Sequence, residues 1–208
     1  MSGTGLGQYD LEYRKCPCFW GESPGKFVNL LGKYLLSGHA LDLGAGEGKN
    51  SIYLAERGLM VEAVECSGPA IDNFKRVLAR NNQATRDRIS IIQADVRSYF
   101  PRESFNAVIA YGLLHCLPSK TDAYSVIDFM KAHTLGGGYN VIVTFTPRIP
   151  VPEVQPYLKP TLIEASDLLE RYENWSVLAV EEEVIQEMHP TSLAPHSHSL
   201  CRLLAQSD

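Results

Sequence analysis

The chain has 208 residues, 45% of them hydrophobic, and a formal net charge of −5, which suits a single globular domain with a substantial core. With no Lys/Arg-rich run, that balance argues against nucleic acid as the main partner, because neutralising phosphates takes a concentrated basic surface. Apolar runs fall short of the ~20 residues that span a bilayer, and Met1 to Gln8 lacks the charged-then-apolar order of a signal peptide, so a cytoplasmic protein with no membrane role and a small-molecule substrate is expected.

After a Gly-rich leader, Ser23-Pro24 offers a cap and a first-turn proline, and Phe27, Leu30, Leu31, Tyr34 and Leu35 recur at helical spacing. Strands and helices then alternate: strand 39–43, helix 50–57, strand 60–65, helix 69–81, strand 89–92, a short segment 96–100, strand 105–110, helix 120–133 and strand 139–145. Gly136-Gly137-Gly138 is expected to stop the helix carrying Val126, Phe129 and Met130. Residues 146–160 hold five prolines (Pro147, Pro150, Pro152, Pro156 and Pro160), the mark of an irregular loop that either walls a pocket or merely connects. A helix at 165–172 and strands near 175–183 and 199–205 close the chain. Such alternation predicts an α/β fold, a three-layer, doubly wound, mostly parallel seven-stranded sheet. The whole chain reads as one domain, with 1–37 as an amino-terminal lid and opening helix and 146–162 as a proline-rich pocket loop.

The most informative stretch is Asp42-x-Gly44-x-Gly46-x-Gly48, where a hydrophobic strand enters a glycine-rich turn and then a helix. Glycines let the backbone turn sharply and approach a ligand closely. Glu65 closes the next strand, about the ~20 residues onward at which such folds grip a ribose. A dinucleotide fingerprint needs its last glycine where Lys49 stands. The spacing with Gly48 is that of S-adenosylmethionine enzymes. Ligands of doubly wound sheets sit outside the carboxyl ends of the strands, so Gly44 to Gly48, Glu65, Asp95 and Tyr111 are expected on one rim.

Together with Ala94-Asp95-Val96 and the segment from Tyr111 to Cys116, these residues resemble the signature segments of class I S-adenosylmethionine-dependent methyltransferases. Finer matches at 48–58, 137–143 and 164–175 resemble the tellurite-resistance-type methyltransferases, from about Tyr13 onward. The resemblance implies S-adenosylmethionine as cofactor and a small-molecule methyl acceptor, with a soft sulfur, selenium or tellurium nucleophile as the candidate. It implies a cofactor site of Tyr13, Trp20, Asp42, Gly44, Ala45, Gly46, Gly48, Asn50, Glu65, Cys66, Asp95, Val96 and Tyr111. Within it, the glycine turn would hold the methionine moiety, Glu65 the ribose hydroxyls and Asp95 the adenine amino group. A carboxylate is an acceptor-only group with room for both hydroxyls of a diol. Asp95 also suits a cap for 96–100, and Trp20 also suits packing on the opening helix. Aromatic faces at Tyr13, Trp20 and Tyr111 would attract a sulfonium by about 0.5–2 kcal/mol.

Three of the six histidines cluster near the end, at His189, His196 and His198. The family places a functional histidine at His189, although the following family arginine is Pro190 here and Arg202 is out of register with another. His189 and His198 are the candidate general bases, needed only where the acceptor arrives protonated. No metal site is expected: Cys16-Pro17-Cys18 lacks the usual zinc spacing, and His196 reads as a solvated loop residue. His115 reads either as a substrate contact or as packing. Cys16, Cys18, Cys66, Cys116 and Cys201 are odd in number and scattered, as reduced thiols are. Two rival functions remain, a non-catalytic S-adenosylmethionine-binding or partner-binding module and an NAD(P)-dependent oxidoreductase.

Overall fold

A computed structural model describes residues 6–152, 160–188 and 194–208. The elements run α1 (Leu6–Lys15), α2 (Lys26–Leu31), β1 (His39–Leu43), α3 (Lys49–Glu56), β2 (Met60–Glu65), α4 (Gly68–Leu78), α5 (Gln83–Arg86), β3 (Ile89–Gln93) and β4 (Phe105–Tyr111). A 3-10 turn (Leu114–Cys116), α6 (Lys120–Ala132), β5 (Thr134–Phe145), α7 (Ala165–Arg171), β6 (Ser176–Glu187) and β7 (His196–Gln206) follow. Among the described residues no helix is long and apolar enough to cross a membrane.

Seven strands form one sheet in the order β3-β2-β1-β4-β5-β7-β6. Pairs from β3 through β5 are parallel, and β7 inserts antiparallel between β5 and β6. Chain order reverses between β1 and β4, which leaves a crevice at their carboxyl ends.

Alternation along the central strands builds both faces of the core. Ala40, Ile109 and Val141 pack with Val28, Leu31 and Leu54 on one side. Their neighbours Leu41, Val108 and Ile142 pack with Ile127, Met130 and Leu168 on the other, as the two-residue period of a strand requires. Leu31, Leu41 and Leu54 are fully buried, each contributing about 1.5–3 kcal/mol relative to exposure. Side-chain caps start the helices beside the rim: Ser67 Oγ accepts from Ala70 N with proline in the first turn of α4, and Ser119 Oγ accepts from Asp122 N at α6.

The expected order of elements is present, with four corrections. The leader folds into α1, and the opening helix shortens to Lys26–Leu31. Residues 96–100 form no helix, so Asp95 caps none. The three glycines do not stop α6, which ends at Ala132; β5 runs through them, its register shifting opposite Phe105 and Ala107. A Cβ on Gly138 would lie 2.8 Å from Leu135 O, so glycine serves a bulge there. Finally, β6 and β7 extend to Glu187 and back to His196. In the proline-rich stretch, 146–152 and 160–164 carry no regular element, and Pro156 lies outside the described residues.

Candidate cofactor and acceptor site

The turn after β1 is stitched to the neighbouring strand by its own backbone. Gly44 N and Ala45 N both donate to Val64 O, at 2.8 and 3.0 Å. At Gly48, which opens α3, the backbone has φ +82° and a Cβ would lie 2.1 Å from the Phe74 ring. Glycine is demanded there twice, by conformation and by space. Gly46 N, at φ +56°, turns toward β2 and donates to Glu65 Oε2 at 2.8 Å.

Glu65 is thereby held from both sides. Its other oxygen accepts from Cys66 N at 2.9 Å and Ser67 N at 2.8 Å. Three amides fill three of the roughly four lone-pair positions of a carboxylate, leaving an oriented acceptor at the carboxyl end of β2. Beneath the turn, Asp42 is buried with Ser51 Oγ donating to it at 2.6 Å. Burial, with Glu65 nearby, pushes its carboxyl up to about 7. The Cys66 thiol, 3.5 Å from Glu65, is pushed up to about 12 by burial and by Glu65.

An aromatic cap covers this turn. Tyr13 on α1 is buried, its hydroxyl 3.2 Å from where a Gly46 Cβ would lie and accepting from Trp20 Nε1 at 3.1 Å. Burial and the charge of Glu65 push the Tyr13 hydroxyl pKa well above its usual range. Trp20 packs edge-on against Phe19 at 4.7 Å and near Tyr9 at 6.3 Å, so it belongs to the cap rather than to α2. Contacts that the sequence did not disclose fasten the cap: Glu47 accepts from Cys18 N at 2.8 Å and Asn73 Nδ2 at 2.9 Å, and Ser67 Oγ donates to Asp10 at 2.5 Å. Lys49 Nζ donates to Trp20 O at 2.9 Å, and Cys116 Sγ meets Tyr9 OH at 3.5 Å.

The other candidates divide. Asp95 stands just past β3, next to Cys66, but Arg97 engages its carboxylate and holds it below the usual range. Val96 is buried in the core. Asn50 Oδ1 accepts from Gly25 N at 2.8 Å, a bond that fastens the segment before α2. Tyr111 packs its ring where a Gly25 side chain would otherwise stand, and it lies close enough to Arg202, which pairs with Glu183, to help raise that guanidinium's pKa.

Toward β5 and β7 the rim is lined by histidines. The Phe145 ring is sandwiched between His115 at 3.8 Å and His198 at 4.3 Å, all three nearly parallel. Burial, with His198 alongside, depresses His115 to about 3. Stacked on Phe145 and buried, it stays neutral around pH 7. Thr161 N donates to His115 O at 2.9 Å, so the described end of the proline-rich stretch lies against this turn. His196 is buried on β7, which corrects its reading as a solvated loop residue. His189 lies outside the described residues.

The model of the family "Tellurite resistance protein TehB" matches residues 28–196. The chain belongs to the TehB family. It is 29% identical over 153 residues to a probable S-adenosyl-L-methionine-dependent methyltransferase TehB of Haemophilus influenzae, covering 73% of this chain and 50% of that protein. The chain spans about half the length of the curated relatives it matches. The crystal structure of TehB from Haemophilus influenzae superposes with a TM-score of 0.75 at 23% identity, over 88% of this chain and 62% of that one. N-methyltransferase NodS from Bradyrhizobium japonicum, solved with S-adenosyl-L-homocysteine, superposes at 0.71 with 13% identity over 99% of both chains. These likenesses show the Rossmann-like methyltransferase fold. Within the TehB family frame, the sequence missed Glu47, Asp10 and Ser67, because each acts on a partner remote along the chain. A Glu inside the glycine motif was the one available signal.

Proposed function

We propose that this TehB-family chain is an S-adenosylmethionine-dependent methyltransferase acting on a small molecule through a soft sulfur, selenium or tellurium nucleophile. The observation that carries the reading is Glu65, held by Gly46 N at 2.8 Å on one side and Ser67 N at 2.8 Å on the other. That grip aims a carboxylate beside a glycine turn too tight for side chains, which is what an adenosyl ligand needs. When bound, S-adenosylmethionine supplies an electrophilic methyl group on a sulfonium centre.

The chain's own part is alignment. Positioning two reactants is worth about 7–11 kcal/mol in favourable cases, and an in-line displacement asks for little else from the protein. Tyr13 and Trp20 cover the turn closely enough that a cofactor enters only when the segment from α1 to Trp20 moves aside. On closing again, those rings would face the cation, exclude water and sharpen the electrostatics inside. His198, at the far side of the rim, or His189 would take a proton from an acceptor arriving protonated.

A screen of thiols, selenols, halides, amines and oxyanions, read as release of S-adenosyl-L-homocysteine, tests the proposal. Turnover with a thiol or selenol is expected. Cofactor binding without turnover of any acceptor would favour the inert module, and a thermal shift with NAD but not with S-adenosylmethionine would favour the oxidoreductase.

A further inference from the structure

At the β6–β7 end of the rim, three side chains converge, of which His198 alone has been given a part above, as one of two alternative bases. Glu187 ends β6 and pairs directly across the ladder with His196, while His198 stands two residues further along β7. That spacing puts all three on one face. One ligand atom from each lies within 4.8 Å of the others, with both histidines buried and Glu187 half-buried. We propose that Glu187, His196 and His198 bind a divalent transition metal of the zinc class, whose open coordination positions receive the methyl acceptor.

Donor chemistry selects the ion. Two imidazoles and one carboxylate suit zinc, iron, nickel or copper far better than magnesium or calcium, and three protein ligands with an open position mark a catalytic rather than a structural zinc site. Bonds of about 2.0–2.1 Å in a tetrahedron set ligand atoms about 3.4 Å apart, so small side-chain rotations close the trio on an ion. The scaffold is firm. His198 is stacked on Phe145 at 4.3 Å, and His196 Nδ1 lies 3.3 Å from Ala194 O. Donation to that carbonyl leaves Nε2 with the lone pair a metal takes, the usual orienting bond of a ligating histidine. Burial raises the Glu187 pKa above its ordinary value, and His196, Lys49 and Arg202 act against that rise.

Topology ties the trio to the reaction. The start of β7 and the end of β6 share the rim with the glycine turn, and Lys49, one residue past Gly48, is close enough to Glu187 to feel its charge. This step rests on the methyltransferase reading. A thiol acceptor binding the metal would release its proton to solvent, since coordinated thiols are deprotonated. A sulfur lone pair then forms the new bond to the methyl carbon as the carbon–sulfonium bond breaks, its electron pair remaining on the cofactor sulfur. A metal so placed would activate the acceptor without a histidine base.

Cobalt(II) alone, titrated into the tag-free full chain and followed by its visible absorption, tests the site, with S-adenosyl-L-homocysteine binding measured in parallel by calorimetry. One cobalt per chain, displaced by zinc(II), is expected. Glu187→Gln and His196→Ala should each weaken binding by more than about 100-fold, beyond the 10–100-fold cost of disturbing an outer-shell partner, while His39→Ala leaves it unchanged. Retained S-adenosyl-L-homocysteine binding shows that a variant is folded, and the conservative Glu187→Gln decides if His196→Ala is not. No stoichiometric cobalt, or equal binding by Glu187→Gln, overturns the metal site. Cobalt bound without any S-adenosyl-L-homocysteine overturns the methyltransferase reading and leaves the metal site standing.

Discussion

At the β1–β2 end of the rim, the proposed cofactor socket is built of backbone and one carboxylate, set between Asp42 and Ser67 and locked by bonds such as Gly46 N to Glu65 at 2.8 Å. At the β5–β7 end the groups are side chains, His115 and His198 stacked on the two faces of Phe145 at 3.8 and 4.3 Å, brought together from three distant segments. The first arrangement is a socket whose shape follows from where glycines fall. The second is a surface whose chemistry depends on which rings the sheet happens to bring side by side.

The two ends also carry opposite electrostatic strain, and pH separates them. Asp42, raised from its ordinary 3.8 to about 7, favours the folded state most below its unfolded pKa, so its contribution is lost as pH rises from about 4 to 7. His115, depressed from 6.5 to about 3, behaves in reverse: its contribution is complete above pH 6.5 and is lost as pH falls toward 3. Each amounts to at most about 5 kcal/mol, and between pH 4 and 6.5 they oppose. Urea unfolding across pH should show Asp42→Asn flattening the loss above pH 4 and His115→Phe flattening the acid limb. Unchanged slopes in both variants would dissolve the contrast.

Backbone shape comes next in size. Gly48→Ala places a Cβ against Phe74 at φ +82°, and strain plus overpacking should cost about 3 kcal/mol in chemical denaturation; a cost under about 1 kcal/mol would mean the turn is pliable. Smaller still, Tyr13→Phe removes the acceptor for Trp20 Nε1 and should cost about 1 kcal/mol of stability. It should weaken cofactor binding only a few-fold, because the ring that faces the turn remains. A loss as large as that of a Glu65 variant would move the centre of the socket to the cap.

What the sequence discloses follows the same division. The glycine turn, Glu65 and the strand order around them are local patterns, and each stands where the spacing predicts. Strands near 175–183 and 199–205 are legible, even through Glu181 and Glu183, which turn to the buried Arg202, but their extension to Glu187 and back to His196 is set by pairing across the ladder, which no local pattern shows. His196 reads as loop for want of an apolar partner before it, although it pairs with Glu187 across the ladder. The first helix escapes notice because its sequence LGQYDLEYRK shows no sustained apolar period, and its burial comes from covering the rim rather than from the core.

Calorimetric titration of S-adenosyl-L-homocysteine into the parent chain and Glu65→Ala tests the central claim most directly. The account predicts one site of sub-millimolar affinity in the parent and at least about a 30-fold loss in the variant, the cost of about 2 kcal/mol for removing a charged hydrogen-bond acceptor. Equal affinity in the two proteins, or no binding by the parent, would contradict it.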